Sequence, residues 1–393
     1  MSRLEELIVE YCPDGVDFKP MWSLTAWDKK FNGIDRNMQK RVIPYHYYLA
    51  AEFDQIERED GDIFYISTGV SGKDRFTTEE LAGDSIAEGE VVCIPWGGTP
   101  NVKYYKGKFV TGDNRIATSL DPAVLDNKYL YYWMQSQIDL IGSFYRGSGI
   151  KHPSMKSVLE LRVPVPPLPV QREIVRILDN FTELTAELTA ELQLRQQQFR
   201  AYSSILFDRV KEDATCLISD VCSIEKGNTP IQKAVPGAYP MVVTTTERKT
   251  NNNYQFDKPS VCIPLVSSRG HGVASLNHVY YQEGKYALGN ILCAVIPKDE
   301  KKLLAKFLYY YFEQTKEYTL VPLMKGGANV ALRIDDISRV RIPVPSTTIQ
   351  EEIISSLQAF ENYCLDILPA EIEARQKQYE YYRDKLLTFK EKE

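Results

Sequence analysis

The sequence has little of what an enzyme or a secreted scaffold needs. Its seven cysteines (Cys12, Cys93, Cys216, Cys222, Cys262, Cys293, Cys364) are odd in number, scattered, and never spaced C-x-x-C. Neither a disulfide framework nor a zinc site is indicated, and buried reduced thiols are expected. The four histidines, His46, His152, His271 and His278, each stand alone, with no partner at ligand spacing. No apolar run approaches the roughly 18 residues that cross a bilayer. The acidic start, Met1 to Tyr11, lacks the basic then apolar pattern of a secretory signal. A soluble cytoplasmic protein with no membrane partner is expected.

Catalytic motifs are missing as well. There is no G-x-x-x-x-G-K-[ST] to cradle a nucleotide, and Gly97-Gly98 and Gly270-x-Gly272 read as turns because neither opens a helix. Asp121-Pro122 and Asn228-Thr229-Pro230 are the nearest fragments to a base-methylating loop, and neither fits. The acid-x-Lys triplets Asp28-Lys29-Lys30 and Glu300-Lys301-Lys302 lack a Pro-Asp strand to supply a metal nuclease's second carboxylate. No catalytic, cofactor-binding or metal-ligating residue is therefore expected, and no cofactor. A positive net charge is absent too, since the formal value is -6. That weighs against a nucleic-acid surface over the whole molecule. Charge is uneven, however: residues 101–165 hold nine Lys or Arg against five Asp or Glu, which allows a basic face on an acidic body.

What is present is repetition. At 393 residues two domains are expected, and the chain is written twice. Arg162-Val163-Pro164-Val165-Pro166 returns as Arg341-Ile342-Pro343-Val344-Pro345, and Gln171-Arg172-Glu173-Ile174-Val175 as Gln350-Glu351-Glu352-Ile353-Ile354, both 179 positions on. After Phe181 and Phe360 the offset slips to 180, and Ala190 to Phe199 faces Ala370 to Tyr379. Upstream, Arg146-Gly147-Ser148-Gly149 pairs with Lys325-Gly326-Gly327-Ala328, and Tyr129-Leu130-Tyr131-Tyr132-Trp133 with Phe307-Leu308-Tyr309-Tyr310-Tyr311. Each half reads as a variable globular segment, a Pro-rich hinge that no helix can cross, and a long helix.

In the first helix the apolar stripe runs Ile174, Ile177 or Leu178, Phe181, Leu184, Leu188, Leu192, Phe199, Tyr202, Leu206. In the second it runs Ile349, Ile353, Leu357, Phe360, Cys364, Ile367 or Leu368, Ile372, Tyr379, Tyr382, Leu386. Spacings of three and four over about five heptads are those of a coiled coil, the alternative being two helices each lying on its own domain. A rod of roughly 55 Å is too long for that alternative. Pro369 lies within the second stripe, where a kink or break is expected.

The globular segments carry short β-branched runs ended by Gly or Pro, such as Val91-Val92-Cys93-Ile94 and Val261-Cys262-Ile263-Pro264, which are strand signals. Helices are expected at Asn127 to Ile141 and Lys301 to Thr315. The fold class is thus α+β: two mixed α/β domains, 1–165 and 211–345, separated by two long helices, 166–210 and 346–393, that form an antiparallel coiled coil, with an internal pseudo-two-fold repeat. Loops between strands hold groups able to touch nucleic acid. The candidates are Arg36, Asn37, Lys40 and Arg41; Trp96, Thr99, Asn101 and Lys103; Arg146 and Lys151; Thr245, Arg248, Lys249, Asn251 and Asn252; and Ser268, Arg269, His271 and Lys325. Arg can take both acceptors of guanine and Asn the edge of adenine, while Lys and hydroxyls more often grip phosphate.

Two variable halves, each followed by a Val-Pro-Val-Pro hinge, x-x-x-x-Gln-x-Glu-Ile and a long helix, resemble the specificity subunit of type I restriction-modification systems. The resemblance covers essentially the full chain. It is specific at Pro164, Pro166, Gln171, Glu173, Ile174 and at Pro343, Pro345, Gln350, Glu352, Ile353. It implies a non-catalytic DNA reader with two target-recognition domains for a bipartite duplex site, bound to two methyltransferase and two restriction-translocase subunits in a prokaryotic cytoplasm. Gln171, Glu173, Ile174, Gln350, Glu352 and Ile353 become candidates for partner docking, with the helix pair as a ruler between half-sites. A protein-only coiled-coil adaptor is the alternative.

Overall fold

The computed structural model describes residues 3–70, 72–211, 214–245, 247, 249–269 and 272–393. The chain divides into two compact units, Met1–Glu187 with Glu373–Glu393, and Leu188–Ile372. The divisions fall inside the two long helices and not at the Pro-rich hinges. The reason is that each helix begins in the core of the domain before it. Val170, Ile174 and Leu178 are buried in the first unit's core, and Ile353 and Leu357 in the second's.

The strands, in chain order, are β1 (Asp17–Pro20), β2 (Thr25–Trp27), β3 (Ile63–Ile66), β4 (Phe76–Thr77), β5 (Ala87–Pro95), β6 (Lys103–Thr111), β7 (Asn114–Ser119), β8 (Tyr145–Arg146), β9 (His152–Pro153) and β10 (Arg162–Val165) in the first unit. Those of the second are β11 (Thr215–Leu217), β12 (Cys222–Lys226), β13 (Tyr239–Val242), β14 (Lys249–Asn251), β15 (Ser260–Pro264), β16 (Tyr280–Gln282), β17 (Ala287–Leu288), β18 (Leu292–Pro297) and β19 (Arg341–Pro343).

In the first unit a six-stranded sheet runs β2-β7-β5-β6-β3-β4, and β1 pairs with β10 beside it. In the second, the order β12-β18-β15-β16 repeats the first four positions. The parallel β3/β6 contact of the first unit has its counterpart in β13/β17. Unit 1 keeps one nine-residue β6, whereas unit 2 divides the corresponding stretch into β16 and β17, so its sheet splits into four and three strands. β5 starts with residues that keep contact with solvent, Ala87 to Glu90, and ends in a fully buried run, Val91 to Pro95, as expected for a central strand covered on both faces. A helix packs behind each sheet, Asn127–Ser136 in one unit and Ala305–Thr319 in the other. The first stops earlier than its pattern suggested, and a separate helix, Ile138–Ser143, follows.

The first long helix is continuous over Leu168–Arg209, with Pro169 in its first turn, where a missing N–H costs nothing. Where the sequence offered Ile177 or Leu178, Leu178 is the buried one. The second long helix holds an irregularity of a different kind from the expected kink. Thr347–Asn362 and Leu368–Leu386 are α-helical, and Tyr363–Ile367 between them is a single π turn. One extra residue in an α-helix is accommodated by such a bulge, and the one-residue slip of the repeat falls there. The widened turn also gives room to the ring of Pro369, which in a regular helix would strike the carbonyl four residues earlier. Ile367 is left 57% exposed and Leu368 takes the inward place.

The helices meet antiparallel. In unit 2, Glu191 accepts from the Tyr363 hydroxyl at 3.3 Å, while Phe199 and Tyr202 stand 6.3 and 5.9 Å from the Phe360 ring. In unit 1, Phe181 stacks on Tyr382 at 5.5 Å. The C-terminal residues are stitched into unit 1: Val16 donates to Lys390 O and accepts from Lys392 N, and Arg162 pairs with Glu391 at 2.5 Å.

Candidate nucleic-acid interface

In unit 1 three loops meet at the end of β5. The chain leaves the strand at Pro95, and the Trp96 ring has the Lys29 ammonium and the Arg115 guanidinium each 4.9 Å from its centroid. The His152 ring lies 5.1 Å away, and its Nδ1 is 2.7 Å from Trp96 O. Cations favour the negative face of an indole, so both charges help to hold the ring.

Arg115 is 2% exposed, and its guanidinium donates to Asp28 Oδ2 at 2.6 Å and to Asp113. The other Asp28 oxygen accepts from Ile116 N at 3.0 Å. Burial raises the Asp28 pKa above the ordinary carboxylate value, and Arg115 pulls it back. Asp28, the acid of the first acid-x-Lys triplet, is thus engaged with an arginine inside the fold.

Gln39, itself buried, accepts from Phe31 N and donates to Lys29 O, closing the loop that carries Arg36, Asn37, Lys40 and Arg41 outward. Arg36 and Asn37 sit on a short 3-10 turn capped by Asp35, whose carboxylate accepts from Asn37 N at 2.8 Å. Thr99 is exposed. Asn101 and Lys103 are turned to internal use. The Asn101 amide donates to Thr68 O and Thr99 O, both at 3.1 Å, and the Lys103 ammonium donates to Ser67 O at 2.6 Å. Burial lowers the Lys103 pKa. Both brace the neighbouring loop and are half-buried. Arg146 and Lys151 are exposed on the β8/β9 hairpin, which is bonded to the Trp96 loop through Gly98 N to Lys151 O at 3.1 Å.

Unit 2 builds the same arrangement from different residues. Ser267 N donates to Val330 O at 3.0 Å, joining the loop after β15 to the hairpin that carries Lys325. Ser268 is tied to Ser275 through backbone and hydroxyl, and Arg269, its N–H held by Ser267 Oγ, is exposed. Thr245 donates to Glu247 O, and Lys249 lies 3.6 Å from the Glu247 carboxylate. Asn251 is buried, accepting from Val235 N and donating to Asn253 O, so it holds a turn; Asn252 beside it is exposed. Arg248 and His271 lie outside the described residues. Lys103, Tyr104 and Tyr105 line a cleft of about 280 Å³ between β3 and β6, and Thr245, Lys249, Tyr280 and Tyr281 line one of about 230 Å³ between β13 and β16.

Of the expected docking set, Gln171, Glu173, Ile174, Gln350 and Ile353 are buried. Gln171 is wholly buried, donating to Val124 O and Pro166 O and accepting from Asp126 N. Gln350 repeats the pattern with Lys302 O, Pro345 O and Leu304 N. Each amide clasps a long helix to its own domain. Ile174 and Ile353 lie in the two cores, so neither offers a surface. Glu173 is 5% exposed and engaged by Arg176, with Arg3 at 3.7 Å. Only Glu352 of the six is exposed. Sequence reasoning passed over Arg115, although an arginine set beside Ile116 in an inward-facing strand was a signal of a buried charge. It also passed over Ile150, 70% exposed at the tip of the β8/β9 hairpin.

The two domains share a strand order and display loops that differ in sequence, which marks an internally duplicated chain. The chain belongs to the type I restriction-modification specificity family, whose DNA specificity domain matches it twice, over residues 50–195 and 214–374. It is 29% identical over 305 residues to the type I restriction enzyme EcoR124I/EcoR124II specificity subunit of Escherichia coli, covering 70% of this chain and 74% of that subunit. Its fold is that of the type I S subunit from M. genitalium, at a TM-score of 0.60 and 16% identity over 95% of this chain and 96% of that one. Among the described residues no helix is long and apolar enough to cross a membrane.

Proposed function

We propose that the chain reads a bipartite duplex site, one half-site per unit, and performs no chemistry itself. Adenine methylation and ATP-driven cleavage fall to two methyltransferase and two restriction-translocase subunits that assemble on it in a prokaryotic cytoplasm. Membership of the specificity family supports DNA sequence recognition. The observation that carries the two-site reading is the repeated frame: β2-β7-β5-β6 and β12-β18-β15-β16 share an order, while the loops they display differ in sequence and charge. Similar scaffolds with dissimilar loops suit two dissimilar half-sites.

Mapping methylated adenines across a genome that carries the complete operon tests this. A motif of two specified halves around an unspecified gap is expected, and replacing residues 211–345 with another reader should alter one half only. A continuous motif, or a change in both halves, overturns it. Methylation or cutting by the purified chain alone would make it an enzyme, and the absence of any salt-sensitive, sequence-dependent affinity for duplex DNA would make it a protein-only adaptor.

A further inference from the structure

The two units differ most where they should read bases, yet one exposed element is the same in both. The hairpin Tyr145–Pro153 and the segment Met324–Leu332 share the start Arg-Gly-Ser-Gly or Lys-Gly-Gly-Ala. Each is anchored by a buried residue before the tip, Tyr145 or Met324, and one after it, Pro153 or Leu332. Arg146 pairs with His152 and Lys325 with Ala331 in antiparallel register. Gly147 and Gly326 adopt φ of +144° and +148°. A Cβ at Gly147 would stand 2.8 Å from Ile150 O, and one at Gly326 would overlap Asn329 O, so glycine is required at both. Apart from the anchors and Val330, which lies in the second unit's core, neither hairpin has a buried residue, and each bonds to the variable loop, through Lys151 O or Val330 O.

We propose that these hairpins are a sequence-blind grip on DNA phosphates, and that base discrimination is left to the loops bonded to them. The proposal rests on the DNA-reading function above. A feature common to two readers cannot tell two half-sites apart, so its work must concern what both half-sites have in common, and that is the sugar-phosphate backbone. The chemistry agrees. In a chain with 53 acidic residues, neither 146–152 nor 325–331 contains one. The leading cation is arginine in one unit and lysine in the other, an exchange that a point charge on phosphate tolerates and a two-pronged guanine contact does not. The small residues at the tips, Ser148-Gly149 and Gly327-Ala328, are exposed and let backbone N–H groups come close to a phosphate oxygen.

The test uses the assembled complex with a double variant, Arg146→Ala with Lys325→Ala, and two duplex probes: one bearing the mapped motif, one scrambled. Affinity is measured over a potassium chloride series. Removing two phosphate contacts should lower the slope of log affinity against log salt by about 1.8 on both probes alike, with the ratio between probes and the methylated motif unchanged. The exchange variant, Arg146→Lys with Lys325→Arg, should keep the wild-type slope, which separates lost charge from lost folding. An altered preference at any base, an unchanged slope, or lost subunit assembly with intact DNA affinity would each overturn the assignment, the last by making the hairpins a protein contact. A wild-type complex that does not distinguish the two probes refutes the DNA reading itself, before any variant is examined.

Discussion

Replacing Gln350 with leucine should unfold the second unit's helix attachment rather than its docking. The wholly buried amide donates to Lys302 O and Pro345 O, both at 2.8 Å, and accepts from Leu304 N at 2.9 Å. Leucine fills much the same volume but offers no polar atom, leaving two carbonyls and one N–H buried beside it. An unpaired buried group costs about 1–3 kcal/mol. Carbonyls with a second lone pair recover part of that, so a loss of about 3–5 kcal/mol is expected for Gln350→Leu, against about 0.5 kcal/mol or less for an exposed glutamine. Two readouts on the full chain check it. The urea midpoint of the transition that includes unit 2 should fall, and the Leu304 amide should exchange with deuterium roughly 100-fold faster or more, at a factor of ten for each 1.4 kcal/mol. Gln171→Leu should act alike in unit 1 through the Asp126 amide. A stability loss below about 1 kcal/mol, or failed assembly of a fully stable chain, would restore these glutamines to a docking role.

Arg115→Met should destabilise unit 1 by about 3–5 kcal/mol by stranding the buried Asp28 charge, and Asp28→Asn in the same chain should recover part of the loss; thermal melts of the single and double variants decide this. Glu173 is held below the usual carboxylate pKa by its hydrogen bonds to Arg176, with Arg3 adding a smaller pull. A depressed folded pKa stabilises above the unfolded value and loses that contribution as pH falls through the folded one. The gap in Tm between wild type and Glu173→Gln should therefore be widest near neutrality and close on acidification, and a gap independent of pH would refute it. Truncation after Leu386 removes Leu387 from the core and the Val16 and Arg162 contacts to 390–392. It should speed amide exchange at Val16 and leave unit 2 strands unaffected; equal loosening of both units would contradict the division at Glu187 and Ile372.

Much of the architecture was legible because it is written in local period and in repetition. The Pro-rich hinges, the three-and-four spacing of the stripes and the 179-residue echo needed no tertiary information, since proline geometry and helical pitch act within a few residues. Even the π turn was foreshadowed by the one-residue slip, although its form was not. What a loop side chain does was a different matter. Asn101, Lys103 and Asn251 have the composition of DNA contacts and serve as braces, because carbonyls distant in sequence, such as Thr68 O and Ser67 O, come within hydrogen-bond reach only in the folded sheet.

The same limit applied to the glutamines. Sequence alone determined that the chain is a duplicated, two-domain frame with long paired helices, since pattern and duplication survive without contacts. Only the tertiary structure decided that Gln171 and Gln350 face inward, that Asp28 and Arg115 form a buried pair beneath Trp96, and that the repeated glycine hairpins stand outward beside the variable loops. Burial is a property of what closes over a residue, and that is set by segments far away in the chain.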